Sequence, residues 1–213
     1  PQPRITLLHG MGGTGALWRP IGASLENDMA VLAPDQRGHG KSRIMGSRYK
    51  HLHYGQDVID TISALSFHPT WLVGHSMGVR TAVAAAHLKP DWVSGLILVD
   101  LGFSGPAGGG LGDTLADFLK HLPQKFESRA EAKAYMSQHC PDSSIAQYLM
   151  AVSTQDSNQQ IIFPFDHQAL IHTIEAARGS SIRSWLQELC ALRKPILALR
   201  GQESKVWTHA EFE

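Results

Sequence analysis

The stretch Trp71-Leu72-Val73-Gly74-His75-Ser76-Met77-Gly78-Val79-Arg80-Thr81-Ala82 constrains the chain more than any other. An apolar run of strand character, Trp71 to Val73, drives into Gly-x-Ser-x-Gly. A run of small residues suited to a helix, Ala82-Val83-Ala84-Ala85-Ala86, follows at once. Strand, abrupt turn and helix in that order is the context a nucleophile elbow requires. So sharp a corner forces Ser76 at its apex into a strained backbone region and lifts the hydroxyl above the sheet edge. Gly74 and Gly78 leave room where strand and helix cross. The start of the helix adds positive potential that favours an oxyanion near the hydroxyl. The bland alternative is a Gly-rich turn with a chance serine, and the flanks on both sides argue against it.

A chain of 213 residues fits one domain with a substantial core. Hydrophobic residues at 43% against 18% charged describe an ordinary globular sequence. Lys+Arg 19 and Asp+Glu 19 cancel, so the balance gives no footprint for nucleic acid or an anionic membrane. No apolar run reaches the length of a membrane span. Cys140 and Cys190 are too few for a disulfide framework; they could form one bridge but read better as inert thiols of a reducing, cytoplasmic setting.

Arg4 to Leu8 predicts a buried strand that ends in His9-Gly10-Met11-Gly12-Gly13. These glycines are out of register for a dinucleotide fingerprint and no Walker lysine follows, so no cofactor is expected. A loop whose amides face a developing oxyanion fits better. Trp18 to Leu25 predicts a short helix, Val31 to Asp35 a second strand, and Tyr54 to Leu65 a helix with Val58, Ile62 and Leu65 on one face. In Asp35-Gln36-Arg37-Gly38-His39-Gly40-Lys41-Ser42, Asp35 and Arg37 read as loop anchors rather than catalysts. His51 and His53 lack a third ligand nearby, which leaves them as surface or loop histidines and no metal expected.

Val93 to Val99 predicts a strand with Asp100 at its end. The Gly-rich interval 102–112 reads as a hinge. After it come helical segments at Leu115–Leu122, Ser128–His139, Ser143–Val152 and His167–Ala177, with no convincing strand among them. Residues 102–189 are therefore expected to be a helical cap, with 1–101 and 190–213 as the core. Tyr148, Phe163 and Phe165 are candidates to line a pocket beneath it, although each is better suited to packing the cap. Ile196 to Arg200 predicts the last strand.

The three motifs, His9 to Gly13, Asp35 to Ser42 and Gly74 to Gly78, stand in an order that resembles the α/β-hydrolase superfamily. Gly74 to Arg80 with Leu96 to Asp100 looks most like its esterase and thioesterase branch, the YbfF-type and abhydrolase-11-like proteins. The resemblance implies a doubly wound, mostly parallel sheet with an inserted cap, and a small-molecule acyl ester or thioester as substrate. It implies Ser76 as nucleophile and the amides of Met11 and Met77 as oxyanion donors. The usual acid position holds Ser204 in Gly201-Gln202-Glu203-Ser204, whereas in the branch just named the acid follows the strand after the elbow helix, so the resemblance favours Asp100, with Glu203 second. The family's histidine follows one more strand, and His209 lies too close to its own strand end to fill that place. The expectation is thus a longer chain, with the fold's terminal strands missing from this one. Carbon–carbon hydrolases and lyases share the motifs, and a ligand-binding relative without a complete triad is the rival from outside enzymes.

Overall fold

The computed structural model describes residues 2–42, 48–101, 111–204 and 206–207. Five strands, β1 (Arg4–Leu8), β2 (Ala30–Leu32), β3 (Thr70–His75), β4 (Val93–Val99) and β8 (Ile196–Leu199), form one sheet in the order β2-β1-β3-β4-β8. Every pairing in it is parallel. Leu7, Leu8, Leu72, Leu96 and Leu98 are almost wholly buried, as expected of strands covered on both faces.

One face carries α2 (His51–Ala64), α3 (Met77–Leu88) and α8 (Arg183–Ala191), whose Val58, Ile62, Val79, Val83, Leu186 and Leu189 share a core with Leu8, Leu72 and Leu96. Gly55 lets α2 approach α3, since a Cβ there would stand 2.8 Å from Ala84. The opposite face packs Ile5, Leu7 and Val73 against Trp18, Leu25 and Met29, around α1 (Arg19–Leu25). Because β1 pairs with β2 on one side and β3 on the other, the loops after β1 and β3 part at a topological switch point. Ligands of open parallel sheets bind in the crevice such a parting leaves.

The region between β4 and α8 holds α4 (Leu111–His121), β5 (Lys125–Phe126), α5 (Arg129–His139), α6 (Ser143–Val152), β6 (Thr154–Gln155), β7 (Ile161–Ile162) and α7 (His167–Ala177). It buries its own cluster, including Phe126, Met136, Leu149, Phe163, Phe165 and Leu170. Ser128, Asp142 and Asp166 cap the helices that follow them, each accepting an otherwise unpaired amide. Two backbone bonds seat this layer on the loop after β2: Gly40 N–H to Pro164 O at 2.7 Å and Asp166 N–H to Gly38 O at 2.8 Å.

Four elements depart from the sequence expectation. The cap is not free of strands, because β5, β7 and β6 pair as an antiparallel sheet. At two residues each they are too short to show alternation. The helix α8 falls where none was expected, and Ile182, Leu186 and Leu189 pack in the core rather than the cap. The strand expected to reach Asp35 ends at Leu32, because Pro34 has no amide to give and Asp35 turns to the neighbouring loops. Helix α2 starts at His51, which is buried and bonded through Nε2 to Ser180 Oγ at 3.0 Å, so this histidine is not on the surface. Of the hinge expected at 102–112, residues 102–110 lie outside the described residues, and 111–112 open α4.

Candidate active site

Ser76 joins β3 to α3 at φ 51°, ψ −121°. A non-glycine residue held there costs on the order of 1–3 kcal/mol, so the surroundings must over-determine it. They do so from three sides. Ser76 N–H donates to Val99 O and Ser76 O accepts from Val79 N–H, both at 2.9 Å. A Cβ on Gly74 would stand 2.3 Å from Gly78 O, and one on Gly78 would stand 2.3 Å from Leu8 O. Strand, helix and β1 thus converge on two positions that only glycine can fill.

The loop after β1 runs directly beside the serine: a Cβ on Gly10 would lie 3.2 Å from that of Ser76. Among the described residues, neither Met11 N–H nor Met77 N–H donates a hydrogen bond. Amides left unengaged near a nucleophile are available to an oxyanion. The loop is braced by Gly13 N–H to Gly10 O at 3.1 Å and by Gly12 N–H to His39 Nε2 at 2.9 Å. His39 Nδ1–H donates to Arg37 O at 2.9 Å. His9 repeats the arrangement, taking Gln36 N–H at Nε2 (3.0 Å) and donating from Nδ1 to Gly10 O (2.8 Å).

Each ring accepts at Nε2 and donates at Nδ1, which requires the neutral form. Burial lowers both pKa values, His39 to about 3, and the nearby His9 reinforces the drop at His39. Both histidines stood in the sequence motifs without an assigned role; their positions beside the glycines of those motifs were the available signal. Asp35 anchors the same region, accepting Gly15 N–H at 2.8 Å and Lys41 N–H at 2.9 Å. Arg37 grips Asp57 through Nε (2.5 Å) and Nη2 (2.6 Å). Asp35 and Arg37 therefore bind loops.

Asp100 follows β4 at φ 56°, its amide donating to Leu199 O at 2.8 Å. Its Oδ1 accepts Gly201 N–H at 3.0 Å, which seats the carboxylate between the ends of β4 and β8. Glu203 is exposed in the turn beyond. His75 makes no hydrogen bond to Ser76 or Asp100; burial lowers its pKa and the charge of Asp100 opposes the drop. Among the described residues no imidazole engages Ser76 Oγ, and His209 lies outside them. No group of three metal-ligating side chains occurs among the described residues either.

The cap lies against the loop of Met11. A Cβ on Gly12 would lie 3.3 Å from Leu149 Cδ2 and 3.4 Å from Phe165 Cε1, and one on Gly13 would lie 2.8 Å from Tyr148 Oη. Met11 and Met77 pack with Tyr49, Tyr54 and Ala169. Phe163 and Phe165 are buried in the cap's own cluster, whereas the Tyr148 hydroxyl is buried with no hydrogen-bond partner among the described residues.

A family model described as alpha/beta hydrolase fold matches residues 3–162. The chain belongs to that family. It is similar to the 2-(acetamidomethylene)succinate hydrolase of Mesorhizobium japonicum, at 27% identity over 96% of this chain and 72% of that one. Among solved structures, a marine microorganism esterase superposes with a TM-score of 0.82 at 20% identity, covering 100% of this chain and 81% of the other. The thioesterase domain from the curacin biosynthetic pathway superposes at 0.69 with 26% identity, over 99% and 79%. Across two of the curated relatives it matches, this hydrolase spans 72% of one and 29% of another. No helix among its described residues is long and apolar enough to cross a membrane.

Proposed function

We propose that this hydrolase cleaves small carboxylic esters or thioesters through an acyl-enzyme on Ser76. The observation that carries the reading is the strained Ser76 at φ 51° with the unengaged amides of Met11 and Met77 beside it. Ser76 Oγ attacks the acyl carbonyl, and its proton passes to a histidine. The carbonyl oxygen becomes an oxyanion held by Met11 N–H and Met77 N–H. Collapse breaks the bond to the alcohol or thiol, which leaves with the histidine's proton, and water then frees the acid by the reverse sequence. Asp100 orients the histidine, because its carboxylate stands at the end of the strand next to β3, whereas Glu203 is exposed in a turn. The layer from α4 to α7 covers the substrate within the expected cap, 102–189. The free Cys140 and Cys190 fit a reducing, cytoplasmic setting.

Turnover of p-nitrophenyl butyrate by the wild type and by Ser76→Ala tests the reading. Hydrolysis should disappear in the variant while its circular dichroism spectrum stays unchanged. Turnover retained by Ser76→Ala would remove the serine from the mechanism.

A further inference from the structure

The Tyr148 hydroxyl is buried with no hydrogen-bond partner among the described residues, a costly state for a group that could otherwise face water. It stands over Gly13, where a Cβ would meet it at 2.8 Å, so the missing side chain makes the space the hydroxyl occupies. Among the described residues its neighbours leave it unmatched: Leu17 beside Gly13 is apolar, and Gly10 O already takes Gly13 N–H and His9 Nδ1–H. Burial raises the phenol pKa to about 12, so the group remains a donor throughout the working pH range.

We infer that Tyr148 is a specificity residue whose hydroxyl donates to a second oxygen on the acyl chain of the substrate, beyond the carbonyl that Ser76 attacks. The inference rests on the acyl-enzyme reading. The order of the strands places the acyl chain on this side. Tyr148 lies over the loop after β1 and Asp100 follows β4, while Ser76 follows β3 between them. A histidine oriented by Asp100 would protonate the leaving group on the β4 side, which leaves the β1 side to the acyl chain. A keto, hydroxyl or carboxyl oxygen there would complete the hydroxyl's bonding, which a plain alkyl chain leaves unmet. Sites that pair a buried polar group with a substrate oxygen discriminate against the analogue lacking it.

The test compares p-nitrophenyl levulinate with p-nitrophenyl valerate, acyl chains of matched length that differ by one ketone oxygen. Wild type should favour levulinate in kcat/KM by tenfold or more, and Tyr148→Phe should bring that ratio down to about one. A wild-type ratio near one, or an unchanged ratio in the variant, would overturn the inference. Calorimetric binding of ethyl levulinate and ethyl valerate to Ser76→Ala protein, with and without Tyr148→Phe, reads the same ratio without turnover. A failure of the serine mechanism would show instead as turnover surviving Ser76→Ala.

Discussion

Gly10 and Ser76 approach so closely that a Cβ on the glycine would stand 3.2 Å from the Cβ of the serine and 3.1 Å from Nδ1 of His75. The contact is tight enough for Gly10→Ala to force a shift of a few tenths of an ångström and carry the Met11 amide with it. Losing alignment of one oxyanion donor costs on the order of a hundredfold in rate. Steady-state kinetics of Gly10→Ala should show that loss mainly in kcat, with thermal stability close to wild type. Full activity would mean that Met11 N–H is not an oxyanion donor.

Gly78→Ala should behave differently, as a folding defect. Its Cβ would meet the Leu8 carbonyl oxygen at 2.3 Å, and backbone cannot swing aside as a flexible side chain can. Overpacking costs typically 1–3 kcal/mol and more where nothing can move. Urea denaturation should report a loss at the top of that range, about 3 kcal/mol, and a loss under about 1 kcal/mol would show that the elbow has slack.

The two candidate acids separate cleanly by substitution. Asp100→Asn should lower kcat by a factor on the order of a thousand or more, since the amide favours the wrong tautomer of the histidine. Glu203→Gln, in an exposed turn, should change it less than about twofold. The opposite ranking, read from initial rates on p-nitrophenyl butyrate, would move the acid to the turn after β8.

Acid should loosen the loop after β1 through His39. Its folded pKa is about 3 against an ordinary 6.5, so between those values the unfolded chain holds a proton that the folded chain does not. Stability therefore falls as pH drops from 6.5 toward 3, and the contribution is fully present above 6.5. Urea melts at pH 6 and pH 4 should show wild type losing up to about 1.4 kcal/mol per pH unit more than His39→Ala. Parallel pH dependence in the two proteins would contradict a buried neutral imidazole.

Much of the sheet and the whole elbow were legible in the sequence because their signals are local. Trp71 to Val73, the glycines at 74 and 78, and the small residues of α3 specify strand, corner and helix within one stretch. Helices α6 and α7 were legible to the residue, since Asp142 and Asp166 cap their starts. What stayed hidden depends on distant partners. Helix α8 has no side-chain cap, and its apolar face is defined by the distant core it shares with α3 and the sheet. The turn after β8 is held by Arg200, whose guanidinium donates to the carbonyls of Gln202, Ser204 and Trp207. Side-chain grips on backbone carbonyls leave no periodic trace. The neutral state of His9 and His39 likewise follows from partners across the loops, and the unmet hydroxyl of Tyr148 from a fit between cap and core.

The most direct measurement is covalent capture of the nucleophile. The protein is incubated with a fluorophosphonate, and the adduct is located by intact mass and peptide mapping. The account predicts a single stoichiometric adduct on the peptide carrying Ser76, absent from Ser76→Ala. An adduct on another residue, or no adduct on wild type that still hydrolyses p-nitrophenyl butyrate, would contradict it.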